Sequence, residues 1–238
     1  SIYPAIQAGY AVSSGFRIYA GYEGDITFNS VESSVNENPF LEMDFDLRNT
    51  EKAGDFYGGL DFELFEGFSL SSGFSYASLN NLQFFTNSIA DSTRFEILYD
   101  TDKTKRLNVF SAVNFESPGK VRSSLRFDFF NYKLATLAEA WHKPNFKAAL
   151  NTTIFPVEKL TITTDIYYLG GLMGLNGETT EVFDLDDIID LNLGARYEIN
   201  DRFGVFLQLN NLLGKEYERY LNYPSRGLQV LGGLSVTF

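Results

Sequence analysis

The sequence predicts an all-β fold, an antiparallel meander of the transmembrane β-barrel type with about 10–12 strands. Three observations carry that expectation. Apolar and polar residues alternate with period two in segment after segment. The connections between segments alternate short and long. Aromatic residues stand at both ends of the apolar parity, as they do at the two interfaces of a membrane-spanning barrel.

Taken from the N-terminus, the first segment, from Tyr3 to Val12, alternates weakly. Phe16, Ile18, Ala20 and Tyr22 then oppose Arg17, Gly21 and Glu23. Phe56, Leu60, Phe62 and Leu64 oppose Tyr57, Asp61 and Glu63, and Phe68, Leu70, Phe74 and Tyr76 oppose Ser69, Ser71, Gly73 and Ser75. Leu107, Val109, Val113 and Phe115 oppose Arg106, Asn108 and Asn114. Val121, Leu125, Phe127 and Phe129 oppose Arg122, Ser124, Arg126 and Asp128. Phe146, Ala148, Leu150 and Ile154 oppose Lys147, Asn151 and Thr153. Leu160, Ile162, Ile166 and Tyr168 oppose Lys159, Thr161, Thr163 and Asp165. Ile189 to Ile199, Phe203 to Leu209 and Leu228 to Phe238 repeat the pattern, with Leu231 the exception in the last.

Short turns fall at Ser13-Ser14-Gly15, Glu66-Gly67, Ser117-Pro118-Gly119, Val157-Glu158-Lys159 and Asn200-Asp201, and long polar loops at 25–54, 80–92, 133–145, 170–187 and 213–226. Short turns on one side and long loops on the other mark a barrel with periplasmic turns and extracellular loops. A turn at Tyr99–Lys105 would break the alternation of sides. Residues 93–116 therefore read as one long strand with an irregular polar middle, projecting beyond the membrane, and the count comes to about eleven.

Segments of about ten residues suit a tilted membrane strand better than a water-exposed sheet. Phe16, Phe68, Phe115, Phe203 and Phe238 lie beside short turns on the apolar parity, and Tyr22, Tyr76 and Tyr168 lie on the same parity toward the long loops. The polar parity carries full charges on strand after strand. Arg17, Glu23, Asp61, Glu63, Arg122, Arg126, Asp128, Lys147, Asp165, Asp190, Arg196 and Glu198 are the candidates to line a wet lumen.

Composition is compatible with this. The 238 residues are 44% hydrophobic and 16% aromatic, with mean hydropathy −0.13, as expected when every second strand residue faces water. No apolar run of about 18 residues offers a transmembrane helix. The absence of cysteine excludes disulfides and cysteine metal sites, and the net charge of −12 argues against a nucleic-acid partner. Ser1-Ile2-Tyr3-Pro4 carries no signal peptide, so an exported chain is expected to begin after processing or inside a longer polypeptide.

Leu209-Asn210-Asn211-Leu212-Leu213-Gly214-Lys215-Glu216-Tyr217 resembles the penultimate-strand motif of TonB-dependent outer-membrane receptors. Asn222-Tyr223-Pro224-Ser225-Arg226-Gly227 and the strand to Phe238 resemble their closing segment, and Asp190 to Tyr197 their preceding strand. Gly233, Val236 and Phe238 are similar to the C-terminal signal read by the barrel assembly machinery. The resemblance implies a bacterial outer-membrane receptor that imports a bulky nutrient such as an iron chelate, cobalamin or a glycan. It also implies a plug and earlier barrel strands, neither of which 238 residues supply. The chain is therefore expected to form a single barrel domain over residues 1–238, the C-terminal part of a longer barrel. Expected partners are outer-membrane lipids, the assembly machinery, and a plug or N-terminal strands, with no cofactor.

Two alternatives stand beside the receptor: a structural barrel subunit that binds partners without transport, and a membrane-embedded lipid hydrolase. The second rests on His142, the lone histidine, in Trp141-His142-Lys143-Pro144; its plainer reading is a loop histidine beside an interfacial tryptophan. Asp184, Asp186 and Asp187, with Glu178 and Glu181, have calcium-type oxygens but miss the EF-hand spacing, so a solvated acidic loop is the expectation. Glu32, Glu37, Glu42, Asp44 and Asp46 are read the same way.

Overall fold

The structure, a computed structural model, describes residues 2–237. The readings placed on Phe238 lie outside the described residues. Eleven strands form one antiparallel sheet. They are β1 (Ala5–Ser13), β2 (Phe16–Thr27), β3 (Thr50–Phe65), β4 (Phe68–Asn80), β7 (Thr104–Ser117), β8 (Val121–Lys133), β9 (Phe146–Ile154), β10 (Leu160–Gly170), β13 (Ile188–Glu198), β14 (Phe203–Asn210) and β17 (Gln229–Val236). The intervening chain holds one short helix, α1 (Val31–Glu37), and three hairpins: β5 (Gln83–Asn87) with β6 (Phe95–Tyr99), β11 (Leu172–Leu175) with β12 (Val182–Leu185), and β15 (Glu218–Tyr220) with β16 (Tyr223–Pro224). Sheet order follows chain order throughout, and among the described residues β1 and β17 each pair on one side only.

The register joins every apolar parity into one face. Tyr10 lies opposite Ile18, Ile18 opposite Leu60, and Leu60 opposite Ser72. Phe74 faces Val109, Val109 faces Phe129, and Phe129 faces Phe146. Further on, Leu150 faces Ile166, Ile166 faces Leu191, Ala195 faces Leu207, and Val205 faces Leu234. A slip of one residue on any strand would turn its side chains to the other face, so the alternation itself fixes the pairing. Many of these residues are exposed, Leu234 at 77% and Phe56 at 52%, which suits a surface that meets lipid.

Aromatic rows bound that face. Near the short turns Phe16 meets Phe62 edge-on at 5.7 Å, Phe65 stacks on Phe68 at 5.1 Å, and Phe68 lies opposite Phe115. Toward the other end Tyr22, Phe56 and Tyr76 are cross-strand neighbours. Glycine closes the β4-side turn for a steric reason: at Gly67, with φ +81, a Cβ would stand 2.1 Å from the Glu116 carbonyl oxygen.

Residues 93–116 do not form one strand. Phe95–Tyr99 leaves the sheet to pair with β5, and only Thr104–Ser117 joins it. Asp100 is the cause. Its carboxylate accepts backbone hydrogen bonds from Ala135 at 2.6 Å and Thr136 at 2.9 Å, and one from the Thr136 hydroxyl at 2.8 Å. These bonds tie the chain to the next long loop instead of to β4. The sheet still has eleven strands, because both ends of the β5–β6 excursion lie on the same side.

The long loops are not loose polar connections. They fold together into a cap whose core holds Leu41, Phe85, Phe95, Leu172, Leu185, Ile188, Tyr220 and Leu221, with Phe40, Phe183 and Tyr223 packed against it. This buried hydrophobic cluster thus lies mainly in the loops, joined by Ile188 at the start of β13 and by Tyr167 and Leu169 of β10. Among the described residues no second sheet or helix layer packs against the eleven-stranded sheet.

Candidate functional site

The functional surface is built from the polar face of the sheet and the cap above it. Every charged candidate from the sequence falls on that face. Glu63, Ser69, Asn114, Ser124, Asn151, Asp165 and Asn192 form one unbroken polar row across seven strands, each opposite the next. One register up, Arg17 lies opposite Asp61, which accepts a hydrogen bond from the Ser71 hydroxyl at 2.8 Å. Arg126 donates to both carboxylate oxygens of Asp128 at 2.7 Å and stacks 4.5 Å from the Phe110 ring centre. Arg122 bonds Glu116 at 2.9 Å, and Glu23 pairs with Lys52. Arg196 stands opposite Thr161 and Phe206, and Glu198 opposite Gly204.

A further row reads Gly9, Tyr19, Gly59, Gly73, Phe110, Asp128, Lys147. The glycines make room for rings lying flat on the wall. A Cβ at Gly59 would meet the Tyr19 hydroxyl at 2.6 Å, and one at Gly73 would meet the Phe110 ring at 3.0 Å. This aromatic floor was not read from the sequence. Its signal is the glycine that repeatedly sits cross-strand from an aromatic.

The segments that resemble the receptor motifs meet in space. Asn211, directly after β14, has φ 49, a left-handed position asparagine tolerates. Its side-chain amide donates to the carbonyls of Lys215 at 2.7 Å and Arg226 at 2.9 Å, and its backbone N–H donates to Asn192 Oδ1 at 3.0 Å. Tyr217 donates to Asp190 at 2.5 Å, as Tyr167 does at 3.1 Å. The motif residues therefore pin the last long loop to β13. Of the assembly-signal residues, Gly233 lies opposite Phe206 and Val236 opposite Phe203.

One loop reading is corrected. His142 and Trp141 are not at a membrane interface: they are buried in the cap, at 0% and 3% exposure. The imidazole packs edge-on against Phe95 at 5.3 Å and beside Tyr220, with Nδ1 3.3 Å from the Arg219 carbonyl oxygen. Burial, then the positive charge of Arg219, push its pKa down to about 3, against the opposing effect of the Arg219 carbonyl. No serine hydroxyl is bonded to it among the described residues, so the hydrolase pair is not assembled. The acidic stretches are solvated as expected, with Glu32, Glu37, Asp44, Asp46, Glu178, Glu181, Asp184, Asp186 and Asp187 exposed, and several of them pair at the surface. Glu37 pairs with Lys143, Asp46 with Arg48 at 2.6 Å, and Asp187 accepts from the Tyr168 hydroxyl. Asp184, Asp186 and Asp187 line an open hollow of about 650 Å³ with Lys215, Glu216 and Tyr217. Among the described residues no group of three or more His, Cys, Asp or Glu is placed to hold a metal ion.

No protein-family model matches the chain, and no curated protein does. Solved structures do. The pyoverdine outer-membrane receptor FpvA of Pseudomonas aeruginosa PAO1 superposes with a TM-score of 0.69 at 15% identity, over 99% of this chain and 36% of that one. The siderophore receptor PiuA of Acinetobacter baumannii gives 0.64 at 16%, over 97% and 35%. The copper transporter OprC gives 0.67 at 11%, over 98% and 38%. This chain spans little more than a third of each of these three. At such identity the likeness is one of fold: the eleven-stranded antiparallel sheet of this chain is shared with these structures.

Proposed function

We propose that the chain is the barrel wall of a bacterial outer-membrane, TonB-dependent-type receptor that imports a bulky nutrient: an iron chelate, cobalamin or a glycan. The observation that carries this is the two-faced sheet, with one apolar face and one charged face over eleven strands, capped at one end by its own folded loops. A wall that separates lipid from a wide aqueous lumen needs that arrangement. The capped end suits a site that selects a solute. In this reading residues 1–238 are one barrel domain continued by further strands. The charged candidates from Arg17 to Glu198 face the lumen or a plug, lipids cover the apolar face, and Gly233, Val236 and Phe238 address the assembly machinery. The likeness in fold to two siderophore-class receptors and a copper transporter supports the transport class.

The test is uptake in a strain lacking the gene, with labelled ferric chelates, cobalamin and oligosaccharides. Loss of one of them, restored by the gene and abolished by a protonophore, is expected. Unchanged uptake of all three would overturn the receptor reading in favour of a structural barrel.

A further inference from the structure

The turn that joins β11 to β12 has a chemistry of its own. Asn176 is the one asparagine of the chain followed by glycine. Its Oδ1 accepts hydrogen bonds from the backbone N–H groups of Glu178 at 3.0 Å and Thr179 at 3.1 Å, and its own N–H donates to the Glu181 carbonyl at 3.0 Å. The side-chain carbonyl is thereby folded forward over the Asn176–Gly177 peptide. Among the described residues the Gly177 N–H has no acceptor. The turn is open to water, with Glu178, Thr179, Thr180 and Glu181 exposed. It is also strained: Thr180 has φ 57, a left-handed position that a β-branched residue adopts only at a cost in energy.

These features favour a reaction between neighbours. A nitrogen and a carbonyl carbon held in one turn react as parts of a single molecule. Two N–H donors on the carbonyl oxygen stabilise the charge that gathers there when the carbon is attacked. Glycine brings no Cβ to shield its nitrogen or to restrict the turn. The Gly177 nitrogen gives its proton to solvent and bonds to Asn176 Cγ. The Cγ–Nδ2 bond then breaks, and Nδ2 leaves as ammonia with a proton from water. Water opens the resulting cyclic imide at either carbonyl. Breaking the new Cγ–N bond gives aspartate, and breaking the original backbone C–N bond gives isoaspartate. No oxidant or reductant enters.

We infer that Asn176 is a self-modification site in the cap, converted by water through a cyclic imide to aspartate and isoaspartate, and that the isoaspartyl form releases the β11–β12 hairpin from β5. The hairpin rests on β5 through two contacts. The Thr86 hydroxyl donates to the Leu175 carbonyl at 2.8 Å, and Gly177 lies so close to Asn87 that a Cβ would stand 2.1 Å from its carbonyl oxygen. Isoaspartate lengthens the main chain just before Gly177, and that contact leaves no room for the extra carbon. The new carboxylate also stands beside Glu178 and Glu181, in a chain already at net −12. The site acts on the cap whatever solute the barrel carries.

The test ages the protein, purified at native length from outer membranes in detergent, in mildly alkaline buffer. Peptide mass spectrometry reads amide-to-acid conversion at every asparagine, and labelling by an isoaspartyl methyltransferase reads the isomer. Asn176 is expected to convert at least about tenfold faster than any other asparagine, and to keep pace with the same chain unfolded in urea. Asn176→Gln, which would have to close a larger ring, is expected to lose the label while keeping its heat-modifiable migration on a gel. Protease cleavage within residues 176–181 is expected only in the isoaspartyl fraction. Conversion more than about tenfold slower in the folded protein than in the unfolded chain means that the turn protects Asn176, and overturns the site. Labelling unchanged in folded Asn176→Gln overturns it too. Equal protease resistance of the isoaspartyl and unmodified fractions overturns the release of the hairpin.

Discussion

Single residues fix the joints between sheet and cap. Asn211 combines a left-handed backbone with three hydrogen bonds, two to the last long loop and one to strand β13. Asn211→Ala loses both amide bonds and the conformational tolerance, at a cost of about 2–3 kcal/mol, and is expected to lower the temperature at which the folded band disappears from a heat-modifiability gel. Asp100 is a second joint. Burial acts to raise its pKa, but the donors from Ala135, Thr136 and Leu137 together outweigh burial and hold it below the usual carboxylate value. Its contribution is present above the unfolded pKa of about 3.9 and is lost as pH falls through the lower folded value. Cleavage of the 133–145 loop by pepsin is thus expected to accelerate at the acid end of the range, and Asp100→Ala is expected to open the loop already at pH 5. His142 works in the opposite sense. The folded cap keeps it neutral down to about 3, whereas the unfolded segment takes up a proton near 6.5. Cap stability should therefore fall as pH drops through that window. The acid red-shift of Trp141 emission follows it, and His142→Asn, which tolerates the residue's φ of 57, is expected to flatten the shift.

At the scale of elements, strands and cap answer to different forces. Phe85 on β5 and Phe95 on β6 are fully buried in the cap core. Truncating either to alanine removes about 3–5 kcal/mol. Limited proteolysis is expected to cut the cap of Phe95→Ala while the gel shift of the barrel persists, since the sheet shares little of that core. Strand β7 presents the converse. Val109 lies on the apolar face between Phe74 and Phe129, and Asn114 on the polar face beside Ser69 and Ser124. Val109→Lys puts a charge in lipid at about 2–4 kcal/mol and is expected to reduce assembled protein in outer-membrane fractions. Asn114→Lys, facing water, is expected to leave the assembled amount unchanged; equal loss in both would refute the assignment of faces.

For the whole molecule, the division between what was legible in the residues and what was not follows from the range of the interactions. Alternation with period two is local, and any strand with unlike faces must show it, so the strands, their faces, the sheet order and the short-turn ends could be read from the chain. The receptor-like motifs were legible too, because Asn211, Tyr217 and Asp190 keep fixed spacings around one loop junction. Beyond that reach, local reading misplaced things. Residues 93–116 read as one strand because a turn at Tyr99–Lys105 would break the alternation of sides, and only the Asp100 bonds to a loop some 35 residues on show how the chain leaves the sheet there. Polar loops looked solvated because their apolar residues are sparse in each. The core appears only when Leu41, Phe95, Leu172 and Tyr220, from four different loops, are brought together. By itself the sequence determined a two-faced antiparallel wall of about eleven strands, since a strand's faces are written in neighbouring residues. The tertiary structure alone decided that the loops fold into a cap with a buried histidine, since contacts between distant loops leave no periodic trace in any one of them.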